Sequence, residues 1–175
     1  MLMNIKKCSL LWMVLFLSVS IFVSSAFAIG DDKYSRPSLK GLKKLSIFVK
    51  IGERLSEDLK KAGLTEDRVR TGVELKLQEA KIDVVYIEGL PSDTPILHVE
   101  VDGSGRGGKT FLFVIEMELW QKGILKRDPK GEVIAATWST GVFGSGSAST
   151  IANDMMGLVN GMMDTFVKAY LSVNH

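Results

Sequence analysis

Residues 110–120 read TFLFVIEMELW, and this stretch decides the fold. Its large apolar residues recur at every second position from Phe111 to Leu119, while Glu116 and Glu118 fall between them. Such alternation puts one set of side chains on each face of a β-strand. The stretch therefore predicts a long strand with one buried face.

Shorter stretches on both sides of this strand show strand patterns of their own. They predict four more strands, over residues 45–51, 82–87, 96–102 and 133–142. Glycine at 103–109 predicts a turn, the sequence DPKG at 128–131 predicts a tight turn, and glycine and serine at 144–149 predict a flexible loop.

Helical spacing of apolar residues interrupts the strands at two places. A short helical turn over 57–62 and a helix that Thr65 caps precede the second strand, and a long helix follows Thr150. The predicted fold is α+β, a mostly antiparallel sheet of about five strands with two helices packed on one face, in the order β-α-β-β-β-β-α. The first two strands should be parallel if they are neighbours.

Residues 1–28 predict a cleavable signal peptide. A basic pair precedes an apolar run, and the run ends in small residues with Ala26 and Ala28 at the positions that a signal peptidase reads. Cleavage after Ala28 predicts a periplasmic or secreted protein. The alternative is an uncleaved membrane anchor, which two serines in the run disfavour because a spanning helix needs about 20 apolar residues.

The rest of the chain predicts one domain. Residues 29–44 are polar and contain proline and glycine, so they predict a flexible lead-in to a single domain over 45–175. Lys6 and Lys7 are two of the 22 basic residues, and the other 20 balance the 20 acidic ones, so no nucleic-acid partner is predicted. The single cysteine, Cys8, precedes the cleavage point, which excludes disulfides and thiolate chemistry after cleavage.

The most conspicuous motif is GSGRGGKT at 103–110, which satisfies the phosphate-loop pattern GxxxxGK[ST]. A phosphate loop needs a helix that begins at the lysine and points its positive end at the phosphates. The residues after Lys109 predict a strand instead, and no later apolar strand ends in an aspartate for magnesium. We therefore interpret the motif as a hairpin turn and predict no nucleotide and no cofactor.

His98, Glu100 and Asp102 lie on one face of the predicted third strand, as metal ligands can. A hairpin folded about the Gly-Arg pair of the glycine-rich stretch would place Leu112 and Val114 opposite Glu100 and His98. These apolar neighbours favour a solvated strand face over a metal site. Because the only internal histidine has no obvious partner, we predict no catalytic residue, no metal ligand and no enzyme.

The last predicted helix carries a methionine-rich apolar stripe. We interpret these methionines as core filler, and the alternative is a small hydrophobic ligand or lipid held between helix and sheet. Gly157 and Gly161 have the GxxxG spacing and predict a close approach of this helix to the sheet. The methionines are Met155, Met156, Met162 and Met163.

The sheet face opposite the helices should be polar, yet the alternation places apolar residues there. A contiguous apolar patch marks an interaction surface, and an unpaired strand edge can accept a partner strand. We therefore predict a partner face on this side of the sheet. Its residues are Phe48, Val85, Ile87, Leu112, Val114 and Trp120.

Several stretches carry a resemblance to known proteins. Residues 63–67, 71–77 and 80–84, together with ATWSTG at 136–141 and YLSVN at 170–174, resemble a family of uncharacterised exported bacterial proteins over residues 39–174. The resemblance implies an exported α+β domain, and because it carries no known activity no functional residue transfers. In architecture only, the order is similar to the amino-terminal domain of the translocation protein TolB and to the lipopolysaccharide-assembly lipoprotein, which does not determine function.

Taken together, these patterns predict an exported non-enzymatic protein of the cell envelope. Its expected role is a protein-interaction or assembly module whose partner is another envelope protein or a second copy. A membrane contact is expected only through an uncleaved signal peptide. The alternative function is binding of a small hydrophobic ligand or lipid.

Overall fold

The computed structural model describes residues 30–87, 93–106, 110–147 and 149–174. The predicted signal peptide, residues 1–28, lies outside these ranges. Within them the chain forms one 3-10 helix, three α-helices and five strands. In chain order these are the 3-10 helix Arg36–Leu39, β1 Lys44–Ile51, α1 Glu53–Lys61, α2 Glu66–Glu79, β2 Asp83–Val84, β3 Ile96–Arg106, β4 Thr110–Leu125, β5 Asp128–Ser147 and α3 Ile151–Asn174.

The strands form one mixed sheet in the order β2-β1-β3-β4-β5. β1 is parallel to both β2 and β3, whereas β3, β4 and β5 form an antiparallel meander. The parallel β1–β2 pair is as predicted, because a crossover through helices connects these strands. The α+β fold is confirmed, and the sheet is mixed rather than purely antiparallel, with its longest strands in the antiparallel meander.

One face of the sheet and the helices enclose the core. Odd-numbered residues of β1, β3 and β4 point into it, as the alternation from Phe111 to Leu119 predicts. The stripes of α2 and α3 cover these residues, and Phe166 of α3 meets Trp138 of β5 edge-on with ring centroids 5.1 Å apart. The opposite face carries the even-numbered residues of the same three strands, and we call it the outer face.

Local signals account for α2 and for the end of α1. The Thr65 hydroxyl accepts from the backbone N–H of Arg68 at 3.2 Å, so Thr65 is the predicted N-cap. Gly63 ends α1 with φ +85°, a conformation that favours glycine. The prediction placed α1 too late, because the helix begins at Glu53 and not at residue 57.

The second predicted strand is much shorter than expected. Instead of residues 82–87, β2 contains Asp83 and Val84 only, although the N–H of Val85 still donates to the Leu45 carbonyl at 2.9 Å. Beyond this point β1 stays paired with β3, but among the described residues no strand pairs with its other edge, and side chains of α2 contact that edge instead. The predicted unpaired edge is therefore partly covered here.

The described parts of two glycine-rich stretches belong to strands rather than to loops, contrary to the prediction. β3 continues through Arg106, and β5 through Ser147. A Cβ on Gly105 would lie 3.0 Å from the Phe111 ring, and one on Gly144 would lie 2.6 Å from the Phe113 ring. The glycines therefore allow the core rings of β4 to lie directly against the backbone of the neighbouring strand. Glycine within a strand commonly marks such a close approach.

The meander differs from the prediction at its second turn as well. β5 begins at Asp128, which pairs with Leu125, so the turn lies at residues 126–127 and not at 128–131. The predicted strand after Lys109 is confirmed, because β4 and not a helix follows the GxxxxGK[ST] pattern. Residues 107–109 of that pattern lie outside the described residues.

The segment before β1 packs against the domain, in contrast to the predicted flexible lead-in. Leu39 is fully buried and Leu42 is 7% exposed. The Asp31 carboxylate accepts from Arg36 Nε at 2.9 Å and from Trp138 Nε1 at 3.1 Å, which ties the segment to β5. Two apolar anchors and one shared carboxylate outweigh the polar composition of this segment.

Candidate binding site on the outer sheet face

Strand pairing brings chemistry-bearing residues together in two rows across the outer face. One row aligns Phe48, His98 and Glu118, and the neighbouring row aligns Glu100 with Glu116. The predicted pairing of Glu100 with Leu112 and of His98 with Val114 is wrong. Because β3 extends into the glycine-rich stretch, the hairpin centre lies about two residues later than predicted, which changes every cross-strand partner.

His98 is buried between two aromatic rings and is not the solvated residue that the prediction expected. The imidazole is stacked on Phe48 at a centroid distance of 5.4 Å and contacts Trp120 at 4.6 Å. Only 5% of the residue is exposed. We call Phe48, His98 and Trp120 the ring stack.

The electrostatic environment of His98 combines burial with nearby carboxylates. Nε2 lies 4.0 Å from Glu100 Oε2 and Nδ1 lies 3.9 Å from Glu118 Oε2, distances too long for hydrogen bonds, and buried Nδ1 has no hydrogen-bond partner among the described residues. Burial lowers the pKa of His98 below its ordinary 6.5, against the opposing effect of Glu100 and Glu118. Desolvation penalises the charged imidazolium, so the ring is neutral at pH 7.

Two carboxylates of these rows already have partners other than His98. Glu100 forms a salt bridge with Lys50 at 2.6 Å, and Glu118 accepts from Trp120 Nε1 at 2.8 Å. Asp102 accepts from the backbone N–H of Gly103 at 2.7 Å and pairs across the strands with Val114. In the part of the chain that the structure describes, no three histidine or acidic residues form a metal-binding group.

A pocket of about 450 Å³ opens beside the ring stack, and we call it the edge pocket. Most of its lining is apolar or aromatic, and one wall belongs to α2. The side chains that shape it are Phe48, Ile96 and Trp120 from the sheet, Tyr86 and Ile87 from the segment after β2, and Arg70 from α2. Its volume falls within the roughly 300–1,000 Å³ of small-molecule sites.

One flank of α2 runs along the open edge of β1, and Arg70 on this flank lines the edge pocket. Glu66, Arg70 and Glu74 are spaced by four residues and therefore share this flank. Glu66 Oε1 accepts from the Ile51 N–H at 3.3 Å, Arg70 donates to the Ile47 carbonyl at 2.8 Å, and Glu74 accepts from the Tyr86 hydroxyl at 3.0 Å. Two side chains of this flank thus form hydrogen bonds with backbone groups of β1 at the edge where β2 has ended.

The six residues of the predicted partner face do not form one patch. Phe48, Ile87 and Trp120 line the edge pocket, and Phe48 is 48% exposed. Leu112 and Val114 lie toward the other end of β4, beyond the charged rows. Val85 is half-buried beside β1, to which it donates its N–H.

The prediction missed two features of the outer face. Phe143 is 70% exposed and pairs with Val114, but it fell between the predicted fifth strand and the loop after it. Arg70 reaches the edge pocket from α2, which the sequence pattern does not align with the outer face, and Tyr86 reaches it from the part of the second predicted strand that lies beyond β2. The signal for Phe143 was present, since it continues the alternation of β5 by one residue.

Three methionines of α3 belong to the buried core at the place where the alternative ligand was expected. Met155 and Met163 are fully buried and Met162 is 6% exposed, in one cluster with the sheet residues. The predicted close approach at Gly157 and Gly161 is wrong, because both glycines are exposed and an added Cβ would meet nothing within 4 Å. Of the described helices, none is long and apolar enough to cross a membrane.

Comparison with known proteins does not show a family. No protein-family model matches the chain, and no curated protein matches it. Among solved structures, the chain is similar to a minor lipoprotein from Acinetobacter baumannii at 11% identity, with a TM-score of 0.31. The similarity covers 73% of this chain and 91% of the lipoprotein.

Proposed function

We propose that this chain is an exported, non-catalytic binding domain of the cell envelope, and that its outer face binds a partner protein. The observation that carries the proposal is the edge pocket, which lies where the outer face meets the edge of β1 and a wall from α2. Aromatic side chains that are partly exposed in a concave site are typical anchors of protein interfaces. Phe48 and Trp120 are the anchors of this one.

The proposed compartment rests on the first 28 residues. Their basic start, apolar run and small residues before the cleavage point after Ala28 support export to the periplasm or outside the cell. These residues lie outside the described ranges. Amino-terminal sequencing of the protein from its host should find Ile29 first, and a chain that still starts at Met1 would contradict export with cleavage.

The non-catalytic character is supported by where the histidine lies. His98 is covered by the two rings of the stack and is not part of the edge-pocket lining. A general base must come within hydrogen-bond reach of its substrate, and a general acid or base works best with a pKa near the operating pH. Burial of His98 between rings works against the first requirement and shifts its pKa away from the second.

A second candidate function is binding of a small hydrophobic ligand. The observation in its favour is the volume and apolar lining of the edge pocket, so the ligand would lie on the outer face and not between helix and sheet. This differs from the position expected from the methionines of α3.

The test is capture of partners from the native envelope with variants of the outer face. Phe48→Ser and Trp120→Ser should lose the partner that wild type retains, and Val114→Ser tests whether the second apolar area contributes. Leu75→Ser is the matched control, because Leu75 is 56% exposed on α2, away from the pocket lining. Recovery of the protein alone, or equal capture by all variants, would contradict the proposal.

A further inference from the structure

Arg70 is a cation that the described residues leave without an anion. Arg70 lines the edge pocket, and one nitrogen of its guanidinium donates to the Ile47 carbonyl at 2.8 Å. Every ion pair within 4.0 Å in the described ranges involves other residues. The hydrogen bond to the Ile47 carbonyl uses one of the five N–H donors that a guanidinium carries.

The neighbouring acids on α2 are held by other groups. Glu66 accepts from the Ile51 N–H at 3.3 Å, and Glu74 accepts from the Tyr86 hydroxyl at 3.0 Å. Glutamate four residues away is the usual partner of a helical arginine, yet neither forms that pair here. Arg70 is instead held by the edge of β1, in a fixed position beside an apolar cavity.

The surroundings of Arg70 select the chemistry of an anion. A planar guanidinium matches a carboxylate through two parallel hydrogen bonds, and the pair is stronger in a site with apolar walls than in water. Phe48, Ile96 and Trp120 provide apolar contact area next to it. A ligand with a carboxylate at the edge of an apolar group would satisfy both parts of the pocket.

We infer that the edge pocket binds a carboxylate carried on an apolar group, with Arg70 as the partner of the carboxylate. The inference rests on the proposed function, because it names the ligand class of the same outer-face site. Two sources share this chemistry: a small amphiphilic acid, and the carboxy terminus of a partner chain that ends in an apolar residue. The probes below distinguish them.

The experiment compares acids with neutral analogues of the same shape. Octanoate and 1-octanol represent the amphiphile, and N-acetylphenylalanine and its amide represent the chain terminus. Each is titrated into the exported protein while NMR follows the Trp120 indole and the methyl groups of Ile87 and Ile96. We expect at least one acid to shift these resonances and to bind about tenfold or more tightly than its neutral analogue, as a charge-assisted pair implies.

Substitution of the arginine separates charge recognition from simple apolar binding. Arg70→Gln should lower the affinity for the acid to that of its neutral analogue, whereas Arg70→Lys, which keeps the charge but not the planar fork, should retain part of the preference. Arg68→Gln is the matched control, because Arg68 lies on the same helix, is exposed and contacts Gly63 and Asn153 instead. Circular dichroism verifies that each variant is folded.

The outcomes distinguish this inference from the proposed function. Equal affinity for acid and neutral forms, no shift with either acid, or an acid preference that survives Arg70→Gln would overturn the inference. Partner capture that depends on Phe48 and Trp120 while no acid is preferred would leave the proposed function in place. Acid binding without partner capture would support the inference and contradict a partner protein.

Discussion

Trp120 lies against His98 with ring centroids 4.6 Å apart, and its indole Nε1 donates to Glu118 Oε2 at 2.8 Å. The indole thus covers the imidazole and also holds a carboxylate that lies 3.9 Å from His98 Nδ1. Phe48 covers the other side of His98 and, like Trp120, lines the edge pocket. The geometry of the pocket therefore depends on a buried titratable group.

The first prediction is that stability falls as the pH is lowered through about 6.5. Burial holds the pKa of His98 below its ordinary 6.5 in the folded protein, so the unfolded chain takes up more protons in this window. The stability contributed by the neutral imidazole is complete above pH 6.5 and decreases below it. Urea unfolding at pH 7.5 and pH 5.5 measures this difference.

Variants identify the residue that carries this pH dependence. His98→Phe should reduce the difference between the two pH values, because phenylalanine fits between two rings and does not titrate. His175, the other histidine of the chain, provides the control His175→Gln, which should keep the wild-type dependence. A dependence that is unchanged in His98→Phe would show that other groups produce it.

The second prediction concerns α3. Phe166 is fully buried and packs edge-on against Trp138. Phe166→Ala should lower the free energy of unfolding by about 3–5 kcal/mol, because it removes buried apolar surface and leaves a cavity. The exposed Leu75 supplies the control, since Leu75→Ala should change stability by about 0.5 kcal/mol or less. Equal midpoints for the two variants would contradict the docking of α3.

Alternation made the buried face of the sheet predictable. Side chains alternate between the two faces of a strand, so the order of apolar and polar residues over 111–119 shows which side chains are buried. A similar pattern orients β1 and β3. The pairing of His98 with Glu118 was not predictable, since it depends on where the hairpin turns, and glycine is compatible with both a turn and a strand under a core ring. The edge pocket combines α2, the segment after β2 and the sheet, and no local pattern encodes that long-range contact.

The third prediction concerns the segment before β1. The Asp31 side chain is 8% exposed and accepts from both Arg36 and Trp138. Asp31→Ala should lower the free energy of unfolding by about 1–3 kcal/mol, because it leaves the Trp138 N–H and the guanidinium without their acceptor. Asp83 is a suitable control, because it is an exposed acid at the sheet edge whose carboxylate has no hydrogen-bond donor among the described side chains. Chemical unfolding in which both variants match wild type would show that the segment is not anchored there.

The fourth prediction is that the GxxxxGK[ST] pattern does not bind nucleotides. β4 follows the pattern, so no helix points its positive end at a phosphate. Isothermal titration with magnesium and ATP should detect no binding to wild type. Binding to wild type that disappears in Lys109→Ala would contradict this expectation and support a phosphate loop.

The central claim is that the outer face at the edge pocket binds a partner, and site-specific photo-crosslinking in the native host tests it most directly. A photoreactive phenylalanine analogue replaces Phe48 in one strain and Leu75 in another, two positions that are 48% and 56% exposed. We expect a discrete adduct from position 48 and none from position 75, and a mass equal to two chains would identify a second copy as the partner. No adduct from position 48, or the same adducts from both positions, would contradict the claim.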